Sequence, residues 1–233
     1  MKRIATVLVA LGTVAACADE MPTNVTDAPL AEARTGKAGL AEYEIVVENL
    51  TSGQPFTPPA VAIHRPAISL YEVGEPASEA IKEIAENGNL DPAVAVLDAS
   101  DQVSDFGAAF GPTAPPLLPG ETTSITLRSE RGAKLVSMAA MLICTNDGFT
   151  GIDDVRLPDD MGESITVYAN AYDAGTEVNT EDFADIVPPC QSLVGVGSAD
   201  PGTGMSNPAL AEGGVITSHP GVVGGDDLVP GIH

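Results

Sequence analysis

An apolar run of ten residues is the feature that most constrains the fold of this chain. Residues 135–144, Leu-Val-Ser-Met-Ala-Ala-Met-Leu-Ile-Cys, contain a single hydroxyl side chain, Ser137. Such a run indicates a strand buried on both faces, although a buried helix has the same signature. The chain has 24 Gly and 19 Pro, few aromatic residues and no Trp. This composition favours a loop-rich β protein over a helical bundle.

The segments around this run predict the other elements. β-Rich stretches predict strands at residues 43–50, 61–71, 121–127, 134–144 and 164–172, with an edge strand at 215–217. One helix is predicted from Pro76 to Gly88, because Ser78 can cap it, Gly88 can end it and the residues between form an apolar stripe. A second short helix is predicted over residues 92–99. The expected fold is therefore all-β: an antiparallel sandwich with one or two short helices in a connection.

The first 17 residues are organised like an export signal. Two basic residues precede a stretch of thirteen apolar or small residues, which is too short to span a bilayer as a stable helix. The last four residues, Val-Ala-Ala-Cys, resemble a bacterial lipoprotein box, which would make Cys17 the acylated first residue of the mature chain. The alternative is ordinary cleavage after an Ala-x-Ala-like site. Residues 18–40 are small and polar and predict a flexible linker, followed by a domain over 41–225 and a tail over 226–233.

Two cysteines remain if Cys17 carries lipid. Cys144 and Cys190 form an even pair in a predicted exported protein, so we expect a disulfide between them. A metal or redox role is disfavoured, because neither lies in a C-x-x-C pair and the three His residues are scattered.

The charge of the chain excludes several partners. With 33 acidic and 10 basic residues the net charge is −23, and it becomes −25 once a leader containing Lys2 and Arg3 is removed. Nucleic acids and anionic membrane surfaces require a basic footprint, so we expect neither as a partner and expect membrane contact only through a lipid anchor. The excess of acidic over basic residues is unevenly distributed, since no Lys or Arg follows Arg156.

No motif in the sequence supports catalysis. There is no Gly-x-Ser-x-Gly elbow, phosphate loop or dinucleotide fingerprint. His64 lies in a predicted strand, where a structural role is favoured, and His219 and His233 lie in the glycine-rich tail. We therefore predict that the protein is not an enzyme, with a carboxylate-dependent carbohydrate enzyme as a remote alternative.

Two acid-rich segments are candidates for calcium binding. Residues 145–154 follow the buried run and residues 172–177 follow the next long predicted strand. Ca²⁺ takes six to eight oxygen ligands, and loops after neighbouring strands can converge at one end of a sandwich. Neither segment matches an EF-hand loop. Solvated turn residues are the alternative interpretation.

These same segments carry a family resemblance. Residues 141–153, Met-Leu-Ile-Cys-Thr-Asn-Asp-Gly-Phe-Thr-Gly-Ile-Asp, and 171–179, Ala-Tyr-Asp-Ala-Gly-Thr-Glu-Val-Asn, resemble a spondin domain of the bacterial secreted type. His64-Arg65-Pro66 and the Ser-His-Pro-Gly string at residues 218–221 agree with it. The resemblance covers roughly residues 40 to 225.

The resemblance implies an eight-stranded antiparallel sandwich similar to a C2 domain, with one Ca²⁺ at its end. By position, Asp153 and Asp173 match acidic ligands of the family, Glu130 is a third candidate, and backbone oxygens near Ile152 could complete the shell. Animal members interact with integrins or sulfated glycans, but the strong negative charge of this chain disfavours binding to sulfate.

The expected function is a non-enzymatic, exported, calcium-binding module of spondin type. Its partner would be an unidentified extracellular or envelope protein or glycan, in an adhesive or envelope-binding role. The expected location is the periplasm or cell surface, with an outer-membrane anchor if Cys17 is acylated. A structural envelope lipoprotein without a specific ligand is the alternative.

Overall fold

The computed structural model describes residues 40–110, 116–195, 198 and 200–233. The predicted signal at residues 1–17, Cys17 and nearly all of the predicted linker lie outside these residues. Among the described helices, none is long and apolar enough to cross a membrane.

Two antiparallel sheets form the domain. The smaller sheet pairs β1 with β4, and the larger sheet has the order β3-β2-β5-β6-β7-β8. The strands are β1 (Ala41–Glu48), β2 (Ala60–His64), β3 (Val103–Ala108), β4 (Thr122–Ser129), β5 (Leu135–Met141), β6 (Gly148–Arg156), β7 (Asn170–Asp173) and β8 (Thr217–Ser218). The all-β prediction is confirmed.

The predicted buried strand lies near the centre of the larger sheet. β5 pairs with β2 on one side and with β6 on the other, and six of its seven residues are buried. One face of β5 packs against the smaller sheet, where Ile45 of β1 and Leu127 of β4 share a core with Met138. The opposite face packs on the helices. The apolar run is therefore a strand with a covered surface on both sides.

In the described part of the chain, three short helices accompany the sheets: α1 (Glu79–Asn87), α2 (Asp91–Asp98) and α3 (Pro189–Leu193). The first two lie in the connection that follows β2, where short helices were predicted. The Ser78 side chain accepts the Ile81 N–H, and Gly88 ends α1 with a φ of 63°. Ile81, Ile84 and Ala85 pack on the outer face of the larger sheet with Phe149 of β6. A fourth element is a single 3₁₀ turn at Phe183–Asp185.

Several element boundaries differ from the sequence prediction. Residues 148–154, expected to form an acidic loop, are most of β6, whose first five residues are buried. Paired strands on both sides supply that burial, which outweighs the turn character of its glycines and aspartates. β2 ends at His64 rather than continuing to residue 71, β7 begins only at Asn170, and β3 was not predicted.

A disulfide joins the end of the buried run to the carboxyl-terminal part of the chain. Cys144 and Cys190 are bonded, with their Cα atoms 5.1 Å apart, which confirms the predicted pair. Both residues are buried in a small core with Phe183, and Leu228 of the predicted tail packs into the same core. The last residues are therefore part of the packed domain.

Candidate functional site

The two predicted acid-rich segments do converge, and Asp147 is the residue that joins them. Asp147 lies in the turn between β5 and β6. Its Oδ2 accepts hydrogen bonds from the Thr176 N–H (2.7 Å), the Thr176 hydroxyl (3.1 Å) and the Glu177 N–H (3.0 Å). The Ala174 N–H donates to the Asp147 carbonyl at 3.1 Å. The turn after β5 and the loop after β7 therefore form one unit.

Asp173 holds its own loop together. Its Oδ1 accepts the Gly175 N–H at 2.8 Å, and its Oδ2 accepts the Asn179 side-chain amide at 2.5 Å. Both oxygens therefore have protein donors. This arrangement fixes the turn that presents Thr176 and Glu177 to Asp147.

Asp153 lies away from Asp173. Asp173 pairs across the sheet with Gly148, the first residue of β6, and Asp153 is five residues further along that strand. At a rise of about 3.3 Å per residue this places the two aspartates about 16 Å apart. The structure therefore does not bring these two predicted calcium ligands together, and they cannot hold the same ion.

Asp153 instead belongs to a group at the opposite end of β6. Atoms of His64, Asp153 and Asp154 that could bind a metal all lie within 4.8 Å of one another. His64 Nε2 is 3.9 Å from Asp154 Oδ1. The register of β5 and β6 shifts between Val136 and Met138, and Asp154 has a φ of 53° at this irregularity. In a regular strand, two consecutive carboxylates would point to opposite faces of the sheet. The register shift instead turns both toward the same region.

The neighbours of Asp153 are on the segment after β2. Its Oδ2 accepts the Ser69 hydroxyl at 2.5 Å, and its Oδ1 accepts the Leu70 N–H at 3.0 Å. Burial and the adjacent Asp153 charge raise the pKa of Asp154 above its ordinary value, and His64 partly opposes this. The site is thus negative and open to solvent on the Asp154 side.

His64 is held rigidly and has a structural role. The ring is buried, with Nδ1 3.0 Å from the Arg65 carbonyl and Nε2 2.8 Å from the Ser137 hydroxyl. A carbonyl can only accept, so Nδ1 carries the hydrogen and, in the neutral ring, Nε2 accepts from Ser137. Ser137 also accepts the Asp154 N–H at 3.0 Å and is completely buried. A substrate cannot reach this Ser–His pair, so it is not a nucleophile and base.

Glu130 lies near this end but outside the group. Its carboxylate is 3.7 Å from the Arg65 guanidinium, and Arg65 follows His64 directly in the chain. Of the three predicted ligands, Asp153 belongs to the group with His64, Glu130 pairs with Arg65, and Asp173 is at the other end of β6.

At the Asp147 end the carboxylates are buried close to one another. Burial is the main cause that raises the pKa of Asp147 to about 6, and the Asp173 charge adds to it. Burial likewise raises the pKa of Glu177 to about 7, with further increases from Glu86, Asp147 and Asp185. Hydrogen bonds to backbone N–H groups oppose both shifts. Ionised carboxylates are therefore unfavourable here unless a positive charge is supplied.

Sequence reasoning missed Glu86, and within the candidate segment 145–154 it did not single out Asp154 as a ligand. The pair Asp153-Asp154 is visible in the sequence, but only the register shift shows that both carboxylates face one region. Glu86 follows Ile84 and Ala85 of the predicted apolar stripe, so a helical projection of α1 would have placed it beside the buried face. A further group, Asp182, Asp200 and Asp227, has carboxylate oxygens within 4.8 Å of one another at the surface.

Comparison with known proteins places the chain in a family. Residues 50–184 match the Spondin_N family, and these residues make up more than half of the chain. The protein therefore belongs to the Spondin_N family. A search of the curated proteins found no match.

Family membership also bears on location and chemistry. Spondin domains are extracellular, and this chain has a disulfide, a bond that persists in oxidising compartments. The protein is therefore an exported one. The Spondin_N family is a non-enzymatic type of domain.

Proposed function

We propose that this protein is a calcium-dependent binding module of spondin type in the bacterial cell envelope or at the cell surface. The Asp153 end of the sandwich would hold the ion and meet the partner, an extracellular or envelope protein or glycan. The observation that carries this proposal is the approach of the Asp153 and Asp154 carboxylates at one end of β6, where their oxygens and a ring nitrogen of His64 lie within 4.8 Å of one another.

Ca²⁺ is the ion that suits the available donors. His64 Nε2 is already occupied by the Ser137 hydroxyl, so the free lone pairs belong to the two carboxylates. Hard oxygen donors favour Ca²⁺ or Mg²⁺, and Ca²⁺ tolerates the irregular geometry of a strand with a shifted register better than Mg²⁺ does.

Calcium binding at this end would act on the neighbouring backbone. Asp153 already contacts Ser69 and Leu70, which belong to the segment between β2 and α1. An ion on Asp153 would reduce the negative charge and fix that segment against the sheet. The ordered surface around residues 66–71 would then be the surface that binds a partner.

Thermal unfolding tests the ion. We expect the melting temperature of the mature protein to rise with Ca²⁺ relative to a chelator, and we expect Asp153→Asn to remove most of that rise. Glu44→Gln, an exposed acid on β1 in the other sheet, is the matched control and should behave like the wild type. A melting temperature that does not respond to Ca²⁺ would reject calcium binding.

The alternative is a structural lipoprotein of the envelope, in which calcium only stabilises the fold. Capture of envelope or extracellular components by immobilised protein, with Ca²⁺ and with chelator, separates the two functions. The binding module retains a defined partner only with Ca²⁺ and loses it in Asp153→Asn. A folded, calcium-loaded protein that retains none supports the structural role.

The anchor is a separate part of the proposal. Acylation of Cys17 would hold the domain at the outer membrane through residues 18–40, and Ala18 after the cysteine favours that membrane. Mass spectrometry of the mature amino terminus tests it. A lipid-modified Cys17 is the expected result, and an unmodified amino terminus contradicts the anchor.

A further inference from the structure

A large cleft lies between the body of the domain and its carboxyl-terminal segment. Its volume is about 1300 Å³. The body lines it mainly through residues 50–54, which follow β1, and residues 170–171 at the start of β7, whereas the carboxyl-terminal segment contributes residues 218–222, 230–231 and His233. A cleft of this size can hold a ligand of several residues. None of the described residues that line it belongs to the group around Asp153, so the cleft is separate from the proposed calcium site.

The described residues that line the cleft include no Asp, Glu, Lys or Arg. This is unexpected in a chain that has 33 acidic residues. The polar side chains of the lining are hydroxyls, amides and the imidazoles of two histidines. A charged ligand would lose its hydration in such a cleft without gaining an opposite charge. The lining therefore favours an uncharged ligand.

The two histidines of the lining, His219 and His233, are held in the same way. The Gly221 N–H donates to His219 Nδ1 at 3.0 Å, and the Val229 N–H donates to His233 Nδ1 at 2.8 Å. Burial lowers the pKa of both imidazoles, although nearby carboxylates oppose this shift at His219. Both rings are therefore neutral at pH 7, and because Nδ1 accepts a hydrogen bond, the single ring hydrogen is on Nε2.

Each of these Nε2–H groups is an unused donor. Both nitrogens are buried without a hydrogen-bond partner among the described residues, and His233 as a whole is only 7 % exposed. A buried donor that has no acceptor destabilises the folded protein. A ligand in the cleft that supplied two acceptors would remove this penalty at both rings.

The segment that carries both histidines is anchored at its middle. The Glu181 carboxylate accepts the N–H groups of Val223 and Gly225 at 2.6 Å and that of Gly224 at 2.7 Å. His219 and His233 lie on either side of this anchor, in stretches that form neither helix nor strand. Small movements of these stretches would uncover the Nε2 atoms toward the cleft, while the anchor would keep the wall of the cleft in place.

Apolar side chains are exposed around the cleft. Leu50 belongs to its lining, and Val223 and Ile232 are next in the chain to lining residues; all three are exposed. Among the described residues of the lining there is no Phe, Tyr or Trp that could stack on a sugar ring. An extended peptide offers backbone carbonyls as acceptors and side chains for apolar contact along its whole length.

We propose that this cleft binds an uncharged, apolar segment of a partner protein in an extended conformation, whose backbone carbonyls accept hydrogen bonds from Nε2 of His219 and His233. The uncharged lining excludes acidic and basic segments, the exposed apolar residues favour apolar side chains, and the two unused donors require acceptors. This binding does not depend on an ion at the Asp153 end.

Selection from a phage-displayed library of random peptides on the immobilised mature protein, in the presence of chelator, tests the occupant. We expect uncharged, apolar sequences to be enriched. Their binding should be lost in Ser218→Trp, which fills the cleft from an exposed position, and kept in Thr217→Trp, the matched control one residue earlier on β8 and outside the lining. No enrichment, or enrichment only of basic peptides that still bind Ser218→Trp, would overturn the proposal. A sugar on a glycan array whose binding is lost in Ser218→Trp would overturn it as well.

Nitrogen NMR of the imidazole rings tests the two donors. A selected peptide should shift the Nε2 resonances of His219 and His233 and leave those of His64, whose ring is bonded to Ser137, unchanged. A bound peptide that shifts neither ring would contradict the proposed mode of binding. The chelator separates this proposal from the calcium-dependent function: peptide binding by a protein that never responds to Ca²⁺ supports the cleft while that function fails, and a response to Ca²⁺ without peptide binding gives the reverse.

Discussion

Removing the Cys144–Cys190 disulfide should cost a large part of the stability of the domain. The bond closes a loop with a sequence separation of 46 residues. The loop-entropy relation gives about 4 kcal/mol at 25 °C for a loop of that length. Domains of this size are stable by only about 5–15 kcal/mol. The double variant Cys144→Ala/Cys190→Ala should therefore lose a substantial fraction of its free energy of unfolding.

The position of the bond explains why the loss should not be confined to the tail. Cys144 is three residues before Asp147 and the chain turns there into β6, while Cys190 lies in α3. Both sulfurs are buried with Phe183 and Leu228 in one core. Loss of the bond should loosen the Asp147 turn together with the carboxyl-terminal segment.

Urea denaturation followed by circular dichroism measures the effect. The wild type under strong reductant is the control, because it keeps both buried sulfurs and lacks only the covalent bond. We expect both the reduced wild type and the double variant to be less stable by roughly 3–4 kcal/mol, with the variant slightly worse because it also loses buried atoms. A difference below about 1 kcal/mol in both would refute the reasoning.

Three further predictions concern the Asp147 end and α1. In chelator, stability should fall as pH rises from 5 to 8, because folding raises the pKa of Asp147 to about 6 and of Glu177 to about 7, so their ionisation favours the unfolded chain; urea midpoints that stay flat or rise with pH would contradict this. Gly175→Ala should destabilise the folded protein by about 2 kcal/mol or more, because the φ of residue 175 is +68° and a Cβ would lie 2.6 Å from the Val215 carbonyl oxygen. The control Gly162→Ala should cost clearly less, because residue 162 has a φ of +81° but open space around its Cβ position. Ser78→Ala should cost about 1 kcal/mol in thermal or urea unfolding, and no change would mean that its cap on α1 contributes nothing.

The parts of the fold that local patterns determine were predictable. The Ser78 cap and the Gly88 stop define α1, and the uninterrupted apolar character of residues 135–144 defines β5, since each signal is complete within a few neighbouring residues. The disulfide was predictable as well, because only two cysteines follow the predicted leader.

β6 shows where local patterns fail. Its sequence, Gly-Phe-Thr-Gly-Ile-Asp-Asp-Val-Arg, has the glycines and aspartates of a turn, and it was expected to be a loop. It forms a strand because β5 and β7 pair with it on both sides, which is a property of the whole sheet. Residue 151 is glycine because the Cβ of any other residue would lie only 2.8 Å from the Met138 carbonyl oxygen.

The candidate sites were predictable only in part. We expected the segments after β5 and β7 to meet, and they do. The prediction placed Asp153 with Asp173, but the acid that contacts the second segment is Asp147. A turn length and a strand register decide this, and neither can be deduced from residue types. The approach of Asp154 to His64 depends on the register shift opposite Ser137, which is equally invisible in the sequence.

The most direct test of the proposed function is the position of the ion itself. A crystal structure of the mature protein grown with Ca²⁺, with anomalous scattering data to locate it, gives that position. We expect an anomalous peak bound by the carboxylates of Asp153 and Asp154, with His64 still bonded to Ser137. Well-ordered carboxylates at saturating Ca²⁺ with no peak beside them would contradict calcium binding at this end of the sandwich.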